Sequence, residues 1–409
     1  MNTLVAGFPL LAVTVVKVVV LLFVVLTALA YLTWFERKVV AHIQTRWGPY
    51  RVGPHGLLQP LADGLKFLFK EDPAPAGAER FVYYLAPFLA MTLALTTFAV
   101  IPFGPQDMRI FGQRTPLGIT DLNIGLLILF AITSLGVYGV ALAGWSSNSK
   151  YPLLGGLRSS AQMFSYELAL TLSVVGVLLM AGSFRLREII EAQQGRLWGV
   201  LPRWNIIASP FPQVLGFLCY FVAAVAETNR APFDLPEAES ELVAGFHTEY
   251  ASFKFAMFFM GEYANMITVS CLAAIMFFGG WISPFPPTQA WAWTAFLPAA
   301  LLAALGLYLF FDGLRYETLL GRTVLPLLGA ALGALAAFLA LHPGANAFIQ
   351  GPFWFLLKVL LFLFFYVWAR GTLPRLRYDQ LMAIGWKLLL PLSLANVLLT
   401  SLLLAWKQK

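Results

Sequence analysis

Long apolar runs separated by short polar loops make up most of this chain of 409 residues. About ten runs are each roughly 20 residues long, enough for an α-helix to cross a hydrocarbon core of about 30 Å. We therefore predict an all-α, polytopic integral membrane protein. The predicted spans lie near 8–34, 81–104, 122–144, 161–182, 206–227, 254–281, 292–311, 323–341, 351–370 and 385–406.

Composition and charge agree with this pattern. The chain is 59% hydrophobic and 11% charged, which is typical of membrane proteins. The first apolar run lacks a basic leader and a small-residue cleavage site, so we expect it to be retained. Lys and Arg are more frequent in the loops that lie inside if the N-terminus is outside. The net charge of +7 is spread over these loops, which does not indicate nucleic-acid binding.

Motifs for redox cofactors and metals are absent from the sequence. The two cysteines, Cys219 and Cys271, each lie inside an apolar run, and the four histidines are scattered. There is no C-x-x-C or H-E-x-x-H motif, and no G-x-G-x-x-G follows a predicted strand. We expect this chain to hold no flavin, haem, iron–sulfur cluster or metal.

The first inside loop, 35–80, contains a predicted amphipathic helix. This helix is expected to run from His55 to Glu71 and to bend near Pro60. Its leucines fall on one face and its polar residues on another, which is typical of a helix at the membrane interface. Two interpretations fit this pattern: an anchoring surface helix, or one wall of a cavity that opens toward the bilayer.

A second inside loop, 227–253, is unusually acidic. It holds six of the 20 acidic residues, and repulsion between crowded carboxylates favours sharing of protons. The segment Asp234 to Glu237 is typical of a capped helix start. The acidic residues are Glu227, Asp234, Glu237, Glu239, Glu241 and Glu249.

Further carboxylates are expected in the inner part of the membrane. A charge at mid-bilayer costs at least about 2.5–3.5 kcal/mol, so such groups normally face a polar interior or water. Each of them could instead form a structural ion pair, as Glu36 could with Arg37. Because they lie on one side beside the acidic loop, we predict a proton-conducting funnel. Its members are Glu36, Asp63, Glu167, Glu227 and Glu262.

Two other groups of charges are given no functional role. Lys17, within the first span, is expected to extend its amine toward the outer surface. The turn between spans 7 and 8 is expected to hold charges that pair with one another: Asp312, Arg315, Glu317 and Arg322.

The polar segments resemble, in order, the signature segments of one family of respiratory membrane proteins. This is the H-subunit family of bacterial NADH:quinone oxidoreductase (complex I), which includes mitochondrial complex I subunit 1. The acidic loop E-T-N-R-x-P-F-D-L-x-E-x-E-S-E-L-V carries the strongest likeness. The other matching segments are 46–66, 144–167 and 370–381.

The resemblance implies a role at the junction of the peripheral and membrane arms of a large complex. It implies a quinone substrate, ubiquinone or menaquinone, and location in the bacterial cytoplasmic (inner) membrane. Expected partners are the peripheral-arm quinone-site subunits, neighbouring membrane-arm subunits and lipid. By position, it assigns proton-path roles to Glu36, Asp63, Glu167, Glu227, Asp234, Glu237, Glu239, Glu241 and Glu262. It places at the quinone cavity Arg37, Asp63, Phe259, Met260, Arg370 and Arg375.

One departure and two alternatives accompany this resemblance. Residues 290–345 are expected to form a helical hairpin that the family usually lacks, placed on the lipid side or against a neighbouring subunit. A homologous subunit of a membrane-bound hydrogenase or ferredoxin-dependent complex would share the funnel but use another electron donor. A stand-alone proton or cation transporter is less favoured because we find no two related halves.

Overall fold

The computed structural model describes residues 2–105, 107–110, 113–199, 201–208, 211–234, 243–286, 288–316 and 318–408. Within these ranges, nine helical segments are long and apolar enough to cross a membrane. The predicted all-α, polytopic fold is therefore confirmed. The helices are α1 (Asn2–Ile43), α2 (Gln59–Phe69), α3 (Arg80–Thr96), α4 (Gly125–Ser146), α5 (Lys150–Ala181), α6 (Leu186–Glu191), α7 (Val214–Glu227), α8 (Ser252–Phe277), α9 (Leu297–Leu314), α10 (Leu319–Leu341), α11 (Pro343–Thr372), α12 (Tyr378–Ala383) and α13 (Leu390–Gln408).

Several turns join or extend these helices. A π-helical segment, Ile384–Leu389, connects α12 to α13, so that the three form one continuous apolar stretch. The remaining helical turns are of the 3₁₀ type: Pro54–Gly56, Thr97–Ala99, Gly245–His247 and Gln289–Phe296.

Helix α7 is shorter than the predicted fifth span. The sequence predicts a span from residue 206, but α7 begins at Val214. Pro212, two residues earlier, lacks the N–H that a continuous helix would require. The backbone N–H of Gln213 instead donates to the carbonyl of Asn205 at 3.1 Å, which closes a loop before the helix.

The interfacial helix is also shorter than predicted, and Pro60 does not bend it. Pro60 lies in the first turn of α2, where a missing N–H costs nothing because those N–H groups have no partner within the helix. A separate 3₁₀ turn, Pro54–Gly56, precedes it. The apolar face of α2 remains exposed in this chain, with Leu61 and Leu65 62% and 47% accessible, as expected for a helix that contacts lipid.

Two short antiparallel ladders lie in loops predicted to be outside. The first joins β1 (Asp107–Ile110) to β2 (Gln113–Pro116), and the second joins β3 (Arg196–Leu197) to β4 (Leu201–Pro202). Lys17 of α1 reaches the end of the first ladder, where its amine donates to the carbonyls of Pro116 and Gly118.

Helix α8 lies at the centre of the bundle. In its most apolar stretch 72% of the residues are buried, against 11% in α1 at the periphery. Its side chains Tyr263, Met266 and Phe277 belong to the main hydrophobic core. The cavity residues of α8 are consequently held on a helix that is packed on several sides.

The charged turn between α9 and α10 does not follow the predicted pairing. Asp312 contacts His55 of the first inside loop, with 2.6 Å between the carboxylate Oδ2 and the ring Nε2. Glu317, also expected to pair within this turn, lies outside the described residues. The expected pairing of Asp312 with its sequence neighbours is therefore wrong.

Candidate functional site

A polar cavity of about 520 Å³ opens at the end of the bundle predicted to face inside. Helices α1, α8 and α11 supply three of its walls, and the loop after α1 supplies the fourth. The lining residues are Glu36, Arg37, Val40, Ala41, Arg46, Trp47, Gly48, Pro49, Phe259, Tyr263 and Arg370. The volume is within the range of sites for small organic ligands.

Glu36 is the buried centre of an ion-pair network in this cavity. The residue is 5% exposed, and its Oε1 pairs with the guanidinium of Arg370. Arg230 approaches the same oxygen at 3.6 Å, and the hydroxyl of Tyr263 donates to Oε2 at 2.7 Å. The Arg230 guanidinium also lies over the Tyr263 ring, 4.1 Å from its centroid. A buried carboxylate with these partners has the hydrogen bonds that its charged form requires.

Arg37 does not pair with Glu36; the structural ion pair considered for Glu36 forms with Arg370 and Arg230 instead. Its guanidinium instead contacts Asp63 of α2 at 2.7 Å, and Gln59 donates to the other Asp63 oxygen at 3.0 Å. The pair joins the interfacial helix to α1 at the edge of the cavity. Arg37 is 53% exposed, so this contact orients α2 more than it stabilises the fold.

The described start of the acidic loop is joined to the segment between α11 and α12. Arg375 contacts Asp234 at 3.2 Å, and the N–H of Leu376 donates to the carbonyl of Pro232 at 3.0 Å. Three predicted proton-path residues lie outside the described residues: Glu237, Glu239 and Glu241.

A second, smaller cavity lies deeper in the bundle. It measures about 30 Å³, room for one or two water molecules, and Glu227 and Glu262 both line it. One carboxylate oxygen of Glu227 is buried with no hydrogen-bond partner among the described residues. Glu167 is placed on α5, where its carboxylate accepts a hydrogen bond from Ser134 of α4. A water molecule in this cavity would supply the hydrogen bonds that a buried carboxylate requires.

Three residues of this region were not singled out by sequence reasoning. Arg230 and Tyr263 complete the network of Glu36. Gln162 donates from its amide to the carbonyls of Ala226 and Phe233, at 2.8 and 2.9 Å, and so holds both ends of the turn after α7. Gln162 and Tyr263 are polar side chains on membrane-spanning helices, which was the available signal for them, and Arg230 belongs to the acidic-loop motif.

Two residues, Phe259 and Met260, were predicted to lie along the cavity wall, and one of them does so. Phe259 lines the cavity, whereas Met260 packs against the hydrophobic core. His247 lies behind Phe259, with 6.2 Å between ring centroids, and is 8% exposed. Its burial lowers its pKa to about 4, because a charged imidazole would lose its hydration there. His247 is therefore neutral at physiological pH.

This geometry is that of a polar cavity at the end of the bundle with carboxylates deeper in it. Three arginines and one carboxylate share the larger cavity with aromatic and aliphatic side chains, so it can hold a ligand with polar oxygens on an apolar ring. In the described part of the chain, no cluster of three or more His, Cys, Asp or Glu side chains is arranged to hold a metal ion. The chemistry that these residues themselves offer is charge stabilisation and proton transfer.

The fold and these cavities define a polytopic membrane protein with a polar cavity at one end of its bundle and buried carboxylates around a smaller cavity. The chain belongs to the NADH dehydrogenase family, whose model matches residues 16–401. It is 50% identical to one H subunit of NADH-quinone oxidoreductase from Solibacter usitatus, over 97% of this chain and 98% of the relative. It is 51% identical to an H subunit from Koribacter versatilis, with the same two coverages. A third relative, the H subunit from Thermomicrobium roseum, is 46% identical over 95% of this chain and 94% of its own.

These relatives help to choose among the three functions considered for this chain. Each is named as a subunit of an NADH-quinone oxidoreductase, and each aligns over nearly its whole length. The predicted family resemblance is confirmed. The hydrogenase-type subunit and the stand-alone transporter are not favoured.

Proposed function

We propose that this chain is the membrane subunit of a proton-translocating NADH:quinone oxidoreductase that forms part of the quinone chamber. The larger cavity would take the quinone head group, ubiquinone or menaquinone. The N-terminus would lie outside, so that the cavity faces the cytoplasm of a bacterium. The peripheral-arm quinone-site subunits would cover the cavity, and the other membrane-arm subunits and lipid would surround the helices.

The observation that supports this proposal is the network around Glu36 in the wall of an arginine-rimmed cavity. Reduction of a quinone places negative charge on its oxygens before protons arrive. Arg37 and Arg370 are positioned to stabilise that charge, since charge-assisted hydrogen bonds in a partly enclosed site are strong. Glu36 shares Arg370 with any such ligand, so binding or reduction would change the balance of the network.

A proton path would begin behind this network. Arg230 contacts Glu36 and follows Glu227 by three residues, so a shift of Arg230 would alter the surroundings of the smaller cavity. We expect the loop 228–250 to occupy two states that differ in proton affinity, which is the requirement for coupling. The loop glutamates Glu237 and Glu239 would take up protons in one state and release them in the other.

The test uses the intact complex. Membranes are solubilised gently, the complex is isolated through a tag on this chain, and NADH-driven quinone reduction and co-purifying subunits are measured. We expect flavin and iron–sulfur subunits together with quinone reductase activity. Recovery of this chain alone, or with hydrogenase subunits, would contradict the proposal.

A second test addresses the proton path. In resealed membranes, Glu262→Gln and Glu237→Gln should lower the quinone reduction that is coupled to proton uptake and leave assembly intact. Glu191→Gln, at an exposed carboxylate in α6, is the control. Proton uptake at the control level in both variants would remove those residues from the path.

A further inference from the structure

The C-terminal end of α9 and the residue Tyr316 that follows it hold one residue of the first inside loop, by its backbone and by its side chain. The Tyr316 hydroxyl accepts a hydrogen bond from the backbone N–H of His55 at 3.0 Å. The Asp312 carboxylate contacts the His55 ring nitrogen at 2.6 Å. The ring and the backbone of His55 are thus both held by residues far along the chain. Asp312, for example, is 257 positions away in sequence.

His55 requires such contacts because its backbone is left-handed. Its φ is 52° and its ψ is 19°, a region that residues with a Cβ rarely occupy. A conformation of this kind persists only when the surroundings hold it in place. A third contact comes from α1, where the Trp34 indole donates to the His55 carbonyl at 3.3 Å. His55 is therefore clamped between α1 and the hairpin.

The backbone beside His55 packs directly on the cavity wall. Gly56, with φ of 75°, lies so close to Pro49 that an added Cβ would collide with the Pro49 carbonyl. Pro49 is itself a lining residue of the larger cavity. A displacement of residues 55 and 56 would therefore be transmitted to the wall.

A series of aromatic rings makes a second connection between the hairpin and the cavity. The ring centroids of Tyr316 and Tyr50 are 6.3 Å apart, and those of Tyr50 and Trp47 are also 6.3 Å apart. Trp47 lines the cavity. The Tyr50 ring also meets the His55 ring edge-on at 5.6 Å, so the two connections support each other.

We propose that the C-terminal end of α9 is a positioning element for the cavity, acting through Asp312 and through Tyr316, which follows the helix. These two residues hold the loop 47–56 in place, so that Trp47 and Pro49 present a formed wall to the ligand. Neither residue lines the cavity, so each acts through the loop and not on the ligand. The effect on quinone binding rests on the proposed function, whereas the effect on the loop does not.

The loop is tested first, by hydrogen–deuterium exchange of the intact complex. Tyr316→Phe retains the ring and removes the acceptor of the His55 N–H. We expect the peptide covering 52–58 to exchange about 2- to 10-fold faster, the factor that corresponds to one lost hydrogen bond. The matched control is Tyr308→Phe on α9, the helix that precedes Tyr316, at a tyrosine that is 61% exposed. Unchanged exchange in Tyr316→Phe, or an equal increase in the control, would overturn the proposal.

Kinetics test the consequence for the ligand. In Tyr316→Phe and Asp312→Asn, we expect the KM for a short-chain quinone to rise about threefold or more, with kcat nearly unchanged, because the wall is loosened but the reacting groups are intact. Glu191→Gln should leave both constants unchanged. An unaltered KM in both variants of an active complex would overturn the proposal. A wild-type complex that reduces no quinone would reject the proposed function, and the exchange rates at 52–58 alone would then decide the positioning role.

Discussion

The hydroxyl of Tyr263 donates a 2.7 Å hydrogen bond to Glu36, and the Tyr263 ring lies beneath the guanidinium of Arg230. One side chain of the central helix thus orients both the buried carboxylate and one of its two arginines. Glu36 is buried in the bundle, and these neighbours replace the hydrogen bonds to water that burial removes.

Loss of the Tyr263 hydroxyl should weaken the network around Glu36 without creating a cavity in the core, because Tyr263→Phe retains the ring. A hydrogen bond to a charged group contributes about 1.5–3 kcal/mol, so Tyr263→Phe should lower kcat/KM for quinone roughly tenfold or more. The measurement is steady-state quinone reduction by the isolated complex. Tyr138→Phe, at a tyrosine of α4 that is 55% exposed, should behave like wild type. Equal kinetics in the two variants would show that the hydroxyl does not matter.

The pair between Arg37 and Asp63 should affect binding more than stability. Both side chains are partly exposed, and such pairs contribute about 0–1 kcal/mol, so Asp63→Asn should leave the melting temperature nearly unchanged. Arg37 would lose its orientation at the cavity edge, and the KM for quinone should rise about two- to fivefold. Melting curves and kinetics on the same preparation separate these effects. A large drop in melting temperature would contradict this assignment.

Lys358 is expected to stabilise the opposite end of the central helix. Its amine donates to the carbonyls of Phe278, Gly280 and Ile282 at 2.7, 2.8 and 2.7 Å. In Lys358→Met these buried carbonyls would lose their donor, at a cost on the order of 3 kcal/mol. Thermal unfolding of the isolated complex measures the loss, with the exposed Lys387→Met as control. A melting temperature equal to that of the control would exclude the capping role.

The stability around the acidic loop should depend on pH through His247. Burial lowers its pKa in the folded protein to about 4, from an ordinary value of 6.5. Between these values the unfolded chain binds more protons than the folded one. The contribution of neutral His247 is therefore complete above pH 6.5 and is lost as the pH falls toward 4, by on the order of 3 kcal/mol at most.

Melting temperatures measured from about pH 7 to about pH 4.5 test this dependence. The variant His247→Asn retains a polar side chain but does not titrate, so its curve should fall less steeply than that of wild type. The exposed His42→Asn should follow wild type. Parallel curves for wild type and His247→Asn would show that His247 is not the titrating group.

The sequence predicted which residues lie at the cavity better than it predicted how those residues pair with one another. The family resemblance placed Arg37 and Arg370 at the quinone cavity and Glu36 on the proton path, and in the structure all three line one cavity. Their pairing was not predictable, because Glu36 and Arg370 are separated by 334 positions and meet only through the packing of α1 against α11. Pairing with the adjacent Arg37 was the alternative that the local sequence suggested, and in the structure Arg37 contacts Asp63 instead.

Apolar length by itself determined the spans except the fifth, where α7 begins later than its apolar run, because a helix that crosses hydrocarbon must satisfy its backbone internally and expose apolar side chains. The order of polar motifs by itself determined the family. Tertiary structure alone decided that Arg230 and Tyr263 complete the network of Glu36, and that Asp312 reaches His55. A helical period specifies which face of a helix is polar, but the neighbour on that face depends on how the helices pack, and no local pattern encodes it.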